Sequence, residues 1–182
     1  PDDYVVTFHP DKATFLRRDG ELSTQLDIAV SPEDDVEVRR ITLRNHGARM
    51  REIEVTSYVE IALAAMRDDL AHPAFGKLFV ETEFSAENTA ILCRRRPRHG
   101  GEALWAVHVL SFEGRASGPV EWETDRERFI GRGQSLAAPR ALDGRALSGT
   151  TGVVLDPICS LRQRVRVPPG GQVRLSVSTG VA

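Results

Sequence analysis

Residues able to do chemistry are scattered along this chain rather than clustered. The histidines are His9, His46, His72, His99 and His108, and none has a metal-ligand spacing to another histidine or to either cysteine. A metal site is therefore not expected. No serine lies in a nucleophile-elbow context, which leaves hydrolase triads without support. Carboxylates occur in pairs, Asp68/Asp69 and Glu121/Glu123. Acid–base work would need one of them in a concave site that raises its pKa. Alternation puts Glu121 and Glu123 on one side of a strand, where a solvated face is the expectation. Gly131-Arg132-Gly133 lacks the Lys-Ser/Thr of a phosphate loop, and no helix pattern opens after it. It reads as a flexible loop tip or as a loop whose backbone and guanidinium approach a polar ligand.

Trp105, Trp122, Tyr4, Tyr58 and Phe129 have faces suited to stacking on the C–H faces of a pyranose, with arginine or aspartate nearby to bond hydroxyls. Core packing competes with this reading for each, and is least decisive for Trp122, which sits between Glu121 and Glu123. His72 precedes Pro73 in a non-repetitive segment, where it either orders the loop by a hydrogen bond or faces a ligand. His46 falls in a turn and His99 in a Pro/Gly loop, both solvated positions, and His108 lies mid-strand with the polar parity. From Asp125 to Pro157 there is little periodicity, and patternless connections beyond about 12–15 residues are uncommon and often functional. This one carries Arg126, Arg128, Phe129 and Arg132.

The elements that must position these residues are strands. Ile41 and Leu43, then Ile53, Val55, Ser57, Val59 and Ile61, alternate with polar residues on either side of Asn45-His46-Gly47. That pattern predicts a β-hairpin with one buried face. Val36 and Val38 have the opposite parity to Ile41 and Leu43. Either both faces of that strand are buried or a β-bulge near Arg39-Arg40 shifts the register, and the bulge is favoured because arginines make poor core residues. Further strands are predicted over Tyr4–Phe8, Lys12–Arg17, Leu22–Val30, Leu78–Phe84, Ala90–Arg96, Trp105–Phe112 and Val120–Thr124. Ser160–Val167 and Gln172–Ser178 read as a closing hairpin across Pro168–Gly171. Ala62–Leu70 predicts a turn or two of helix that Pro73 would end. About ten strands and little helix make an all-β antiparallel sandwich, 1–182 as a single domain.

Composition narrows the function. The chain has 182 residues and a formal net charge of -2, with no basic excess to neutralise phosphates, so nucleic acid is not an expected partner. Cys93 and Cys159 show no disulfide spacing and read as free thiols, which fits a reducing compartment. No apolar run approaches the ~20 residues of a membrane-spanning helix. Pro-Asp-Asp-Tyr and Thr-Gly-Val-Ala do not read as natural termini, so a fragment of something larger is expected.

Several ordered phrases carry a resemblance. They are Ser31-Pro32-Glu33-Asp34-Asp35-Val36-Glu37-Val38-Arg39-Arg40, Ile41-Thr42-Leu43-Arg44-Asn45, Arg51-Glu52-Ile53-Glu54-Val55-Thr56-Ser57-Tyr58, His72-Pro73-Ala74-Phe75-Gly76-Lys77-Leu78-Phe79-Val80-Glu81-Thr82, Thr124-Asp125-Arg126-Glu127-Arg128-Phe129-Ile130-Gly131-Arg132-Gly133 and Leu155-Asp156-Pro157-Ile158. Together they resemble the β-sandwich domain that precedes the catalytic (α/α)6 barrel in the inverting glycoside phosphorylases of the cellobiose phosphorylase family. Within that family the likeness is to the phosphorylase-like part of cyclic β-1,2-glucan synthases. The resemblance implies an antiparallel supersandwich similar to galactose mutarotases, with N-terminal strands of the full sandwich lying outside this chain.

It also implies a non-catalytic, carbohydrate-binding or structural module of a β-glucan-processing enzyme, itself a glycosyltransferase or glycoside phosphorylase. The catalytic acid would belong to the barrel, so no catalytic residue, metal or cofactor is expected here. The family-matching loops, together with Trp122, make His72, Phe75, Lys77, Trp122, Arg126, Arg128, Phe129 and Arg132 the candidate substrate-binding residues. Expected partners are a β-glucan oligosaccharide, the enzyme's own barrel and a second copy in a homodimer. The expected location is the cytoplasm, including as the cytoplasmic part of an inner-membrane protein. The alternative is a mutarotase-like sugar epimerase using His72 or His108 with a glutamate.

Overall fold

A computed structural model describes residues 1–97 and 101–182. His99, expected in a solvated loop, lies outside the described residues. The strands are β1 (Asp3–Phe8), β2 (Ala13–Asp19), β3 (Leu22–Val30), β4 (Val36–Asn45), β5 (Arg51–Thr56), β6 (Val59–Glu60), β7 (Val80–Ser85), β8 (Ala90–Arg95), β9 (Leu104–Glu113), β10 (Arg115–Ala116), β11 (Glu121–Asp125), β12 (Gly152–Val153), β13 (Pro157–Val167) and β14 (Gln172–Val181). Short helices α1 (Met66–Ala71), α2 (Pro73–Lys77) and α3 (Arg126–Ile130) and a 3-10 turn over Arg140–Leu142 interrupt them. A nine-stranded sheet runs β1-β2-β3-β4-β14-β9-β8-β7-β12, and in a five-stranded sheet β13 pairs with β10, β11, β5 and β6. The fold is the expected antiparallel, all-β architecture.

The chain groups into two compact units, and β5, β9, β13 and β14 contribute residues to both. The first unit is Pro1–Val55, Val109–Pro119 and Gln163–Gly180. It opens on two successive hairpins, and the second turns at Gly20 with φ +58°, a conformation that favours glycine. Its apolar core is built from Leu43, Val165, Val167, Val173, Leu175 and Val177, each at most 4% exposed. Burying a side chain of this size contributes about 1.5–3 kcal/mol.

Three local expectations fail in this unit. The register of β4 is unbroken against both neighbours, from Val36↔Gly180 to Arg44↔Gln172 and from Glu37↔Val30 to Asn45↔Leu22. There is no bulge at Arg39-Arg40. The parity switch arises because β4 is partly covered on both faces, with Val36 and Val38 half-buried on one and Ile41 and Leu43 on the other. Arg39 shares the Leu43 face but stays exposed, its Nε on Glu37 at 2.6 Å. Secondly, β4 and β5 do not form a hairpin: β4 lies in the nine-stranded sheet and β5 pairs β13 in the other. The connection is an arch pinned by Asn45, which is fully buried. Its Nδ2 donates to Arg49 O at 2.7 Å and Val167 O at 3.1 Å, and its Oδ1 accepts from Gly47 N at 3.0 Å. Thirdly, β13 and β14 are likewise in different sheets, so Pro168–Gly171 is a second arch. Alternation reports which face is buried and not which strand is the neighbour, so it reads the same in both geometries.

The second unit is Thr56–His108, Val120–Arg162 and Val181–Ala182. Pro73 does not merely end the predicted helix. It opens α2 at its first turn, where its missing N–H costs nothing. The Asp125–Pro157 stretch also acquires structure. Asp125 Oδ1 accepts from Glu127 N at 2.9 Å and caps α3. Phe129 and Ile130 of α3 pack with Ala141 and Ile158, with Tyr58 and Leu147 against them. Cys93 and Cys159 are free, buried thiols whose Sγ atoms lie 3.3 Å apart, on β8 and β13. The hydrogen bond with Cys93, then burial, hold the Cys159 thiol well above its ordinary pKa.

Candidate functional site

The predicted site residues all fall in the second unit, in three places. The first surrounds Asp156. Lys77, at the end of α2, puts Nζ 2.6 Å from Asp156 Oδ1. Arg126, opening α3, sits 3.7 Å from Asp156 Oδ2 and donates to Glu60 Oε1 at 3.0 Å. Tyr58 Oη donates to the same Glu60 oxygen at 2.8 Å. Burial, then the bond to Glu60, push the Tyr58 phenol up to about 12. The Tyr58 hydrogen bond and Arg126 hold Glu60 below the usual carboxylate range. His72 is exposed at the joint of the two helices, where its N–H donates to Asp68 O at 3.1 Å and its carbonyl accepts from Gly76 N at 2.9 Å. Phe75 is 54% exposed, edge-on to Phe79 with ring centroids 5.3 Å apart.

The second place is the interior. Phe129 is 3% exposed and its ring lies 4.9 Å from that of Tyr58. Trp122 stacks flat on Phe84, with centroids 3.8 Å apart and planes 7° from parallel. A Cβ on Gly149 (φ +67°) would stand 3.3 Å from its Cζ2, so chain lies against the indole. The structure places both rings as packing elements rather than as open stacking platforms. His108 is also interior, 2% exposed, with Nε2 2.8 Å from Ser57 Oγ.

The third place is a pair of adjoining cavities, of about 240 Å³ and 670 Å³, that share Arg140 and Arg145 as lining residues. The smaller adds Glu123, Arg128 and Ser148, and the larger adds Arg132, Gln134 and Asp143. Four guanidinium groups therefore meet two carboxylates. Arg128 Nη1 donates to Ser148 Oγ at 3.4 Å, with Nε 3.7 Å from Asp125. Arg145 Nε donates to Asp143 at 2.8 Å.

Behind the cavities lies a buried polar assembly that sequence reasoning missed. Glu121 and Glu123 were expected on a solvated face, yet Glu123 is 1% exposed. Its Oε1 accepts from Thr124 N at 2.9 Å and Asp125 N at 3.0 Å; its Oε2 accepts from Ser148 N at 3.3 Å and from Ser148 Oγ. Four donors satisfy this carboxylate without a full counter-charge. Arg162 is 1% exposed. It donates to Thr56 Oγ1 at 3.0 Å, Glu121 Oε2 at 3.3 Å, Arg145 O at 2.9 Å and Ala141 O. The Glu121↔Arg162 pair is cross-strand between β11 and β13. An arginine alternating with carboxylates on a neighbouring strand was the available signal. Among the described residues, no group of three or more His, Cys, Asp or Glu side chains is arranged to hold a metal ion.

Comparison with known proteins bears on this arrangement. Cyclic beta-(1,2)-glucan synthase NdvB of Rhizobium meliloti (strain 1021) is 42% identical over 171 residues, 93% of this chain and 6% of the synthase. Solabiose phosphorylase of Paenibacillus borealis is 25% identical over 167 residues, 90% of this chain and 20% of the phosphorylase. The chain thus spans a small part of either relative. Among solved structures, a polysaccharide lyase superposes with a TM-score of 0.51 at 14% identity, over 92% of this chain and 21% of the lyase, a likeness of fold alone. The family model for the supersandwich domain of glycosyl hydrolase 94 matches residues 1–182. This chain belongs to that family, as its supersandwich domain.

Proposed function

We propose that this chain is the non-catalytic sandwich module of a β-glucan-processing enzyme, a glycosyltransferase or glycoside phosphorylase. It supports a separate (α/α)6 catalytic barrel and helps position β-linked glucan through α2 and the Asp125–Pro157 stretch. The observation that carries this reading is the family match over 1–182, with 42% identity to a synthase of cyclic β-(1,2)-glucan across 93% of the chain. Exposed Phe75 beside the Lys77–Asp156–Arg126 cluster supports the sugar-positioning half, because an apolar face next to charged hydrogen-bonding groups matches the two sides of a pyranose. The module is taken to work in the cytoplasm and to pair with a second copy, and the unbridged Cys93 and Cys159 favour a reducing compartment.

Calorimetric titration with β-1,2-linked glucose oligosaccharides tests the binding half. Saturable heat at millimolar ligand is expected, weakened in Phe75→Ala, with a smaller response to β-1,4-linked oligosaccharides. No heat and no chemical-shift change at millimolar ligand would leave a purely structural role. Light scattering on the same sample reports the oligomeric state.

A further inference from the structure

The two adjoining cavities concentrate positive charge in a chain whose net charge is -2. Of the lining arginines, Arg145 is paired with Asp143 and Arg128 leans on Asp125 and Ser148. Glu123 is committed to the four donors of Thr124, Asp125 and Ser148. Asp143, already paired with Arg145, also feels the charge of Arg140, whereas Arg132 has no ion pair among the described residues. The 670 Å³ cavity is therefore lined by three guanidinium groups, of Arg132, Arg140 and Arg145, against the one carboxylate of Asp143, an excess of two positive charges. These side chains are exposed, so solvent screens them, but like charges gathered in a concavity still raise the local positive potential and favour an anion there.

The arrangement is also built rather than incidental. Gly131 has φ +86°, and a Cβ at that position would fall 2.8 Å from Arg140 Cβ and 3.2 Å from its Cδ. The stem of Arg140 is thus laid against a residue that must lack a side chain, which fixes where its guanidinium starts. On the other flank, buried Arg162 holds the carbonyls of Ala141 and Arg145 and so fixes the backbone that carries Arg140 and Arg145. Such preorganisation lowers the ordering cost of binding.

We propose that this cavity is a binding site for an oxyanion, held by the guanidinium groups of Arg132 and Arg140 with Arg145 and Gln134 alongside. The shared chemistry is a group with two or more oxygens that can engage a planar guanidinium fork, either tetrahedral (a sulfate or phosphate type) or planar (a carboxylate). This site does not depend on the glucan reading, because a neutral oligosaccharide leaves the cavity's excess positive charge unanswered.

The test uses the purified chain at constant ionic strength, titrated separately with sulfate, phosphate and citrate against chloride, and read by thermal shift and calorimetry. A saturable stabilisation by at least one of the three is expected, together with at least a tenfold loss of affinity in Arg132→Gln/Arg140→Gln. Arg39→Gln/Arg40→Gln, at two exposed arginines of β4, is expected to keep wild-type affinity. A response to sulfate and phosphate alone identifies a tetrahedral ligand, and one to citrate alone a carboxylate. The proposal is overturned if no anion differs from chloride, or if the Arg132/Arg140 variant, shown folded by its circular dichroism, binds as the wild type does. Equal loss in the Arg39/Arg40 control would reduce the effect to nonspecific screening and overturn it as well. A neutral β-glucan titration in parallel reports on the glucan reading separately.

Discussion

Arg162→Ala removes a charge that is 1% exposed and donates to Thr56, Glu121, Arg145 O and Ala141 O. Breaking a buried ion pair by deleting one partner costs about 3–5 kcal/mol, because the other partner is left uncompensated. Here that partner, Glu121, has a side chain 20% exposed, and Arg145 is exposed on the cavity wall, although Ala141 is buried. Part of the loss is thus recovered by solvation, which puts the expectation at about 3 kcal/mol. In a domain whose total stability is about 5–15 kcal/mol this is a large fraction. Urea unfolding would show it as a lower midpoint at unchanged slope. Glu121→Gln alone should cost about 1–2 kcal/mol, and Arg162→Met/Glu121→Gln should cost less than the sum of its single changes by at least about 1 kcal/mol. Hydrogen exchange should show faster exchange across residues 141–148 in Arg162→Ala, ahead of β13 itself. A loss below about 1 kcal/mol, or strict additivity with Glu121→Gln, would refute the assignment of Arg162 as the anchor of that segment.

Asn45→Ala strips two carbonyls and one N–H of their partner at the β4–β5 arch and should lower stability by about 2–3 kcal/mol in urea, whereas Asn45→Asp keeps the acceptor but turns a carboxylate oxygen onto both carbonyls in a fully buried site and should cost more. Gly131→Ala combines an unfavourable positive φ with the approach to Arg140 and should cost about 1–3 kcal/mol in thermal unfolding while displacing Arg140. Burial and the bond to Glu60 push the Tyr58 phenol from its ordinary 10.0 up to about 12. Its stabilisation is complete below pH 10 and is lost as pH rises toward 12, because the unfolded chain releases the proton first. Wild-type stability should therefore fall more steeply than that of Tyr58→Phe between those pH values, and equal slopes in urea titrations would contradict the Tyr58–Glu60 bond.

The strands were largely legible because each buried face leaves a period-two trace, as in Val165, Val167, Val173, Leu175 and Val177, all buried. Neighbours were not legible from that trace. Both predicted hairpins proved to be arches between sheets, and the missing information was electrostatic. Glu52, Glu54 and Thr56 of β5 face Arg166, Arg164 and Arg162 of β13, at 3.2, 2.8 and 3.0 Å. Cross-strand charge complementarity of this kind distinguishes one neighbour from another where hydrophobic parity does not. The same neglect put Glu121 and Glu123 on a solvated face. Carboxylates on alternate residues are solvated when nothing opposes them, but Arg162 opposes Glu121 in register, and Ser148 returns over Glu123 from 25 residues away. The candidate arginines Arg128 and Arg132 were found because they lie in an aperiodic stretch. Arg140 and Arg145, in the same stretch, were passed over because nothing local marks a residue that lines a cavity.

That stretch is aperiodic for a physical reason. Backbone groups that cannot reach a ladder must find other partners, and here side chains rooted in strands supply them. Glu123 receives Thr124 N, Asp125 N and Ser148 N, Asp125 caps α3, and Arg162 holds the carbonyls of Ala141 and Arg145. Each anchor belongs to β11 or β13, so the shape of the segment is set from beneath. The side chains of Arg132 and Arg140 are left over from this arrangement, since neither serves in an anchor. Stability and ligand choice are therefore carried by different residues. Substitutions at Glu123 or Arg162 should disturb the fold and the cavity together, whereas those at Arg132 and Arg140 should alter what the cavity accepts and leave the sandwich intact.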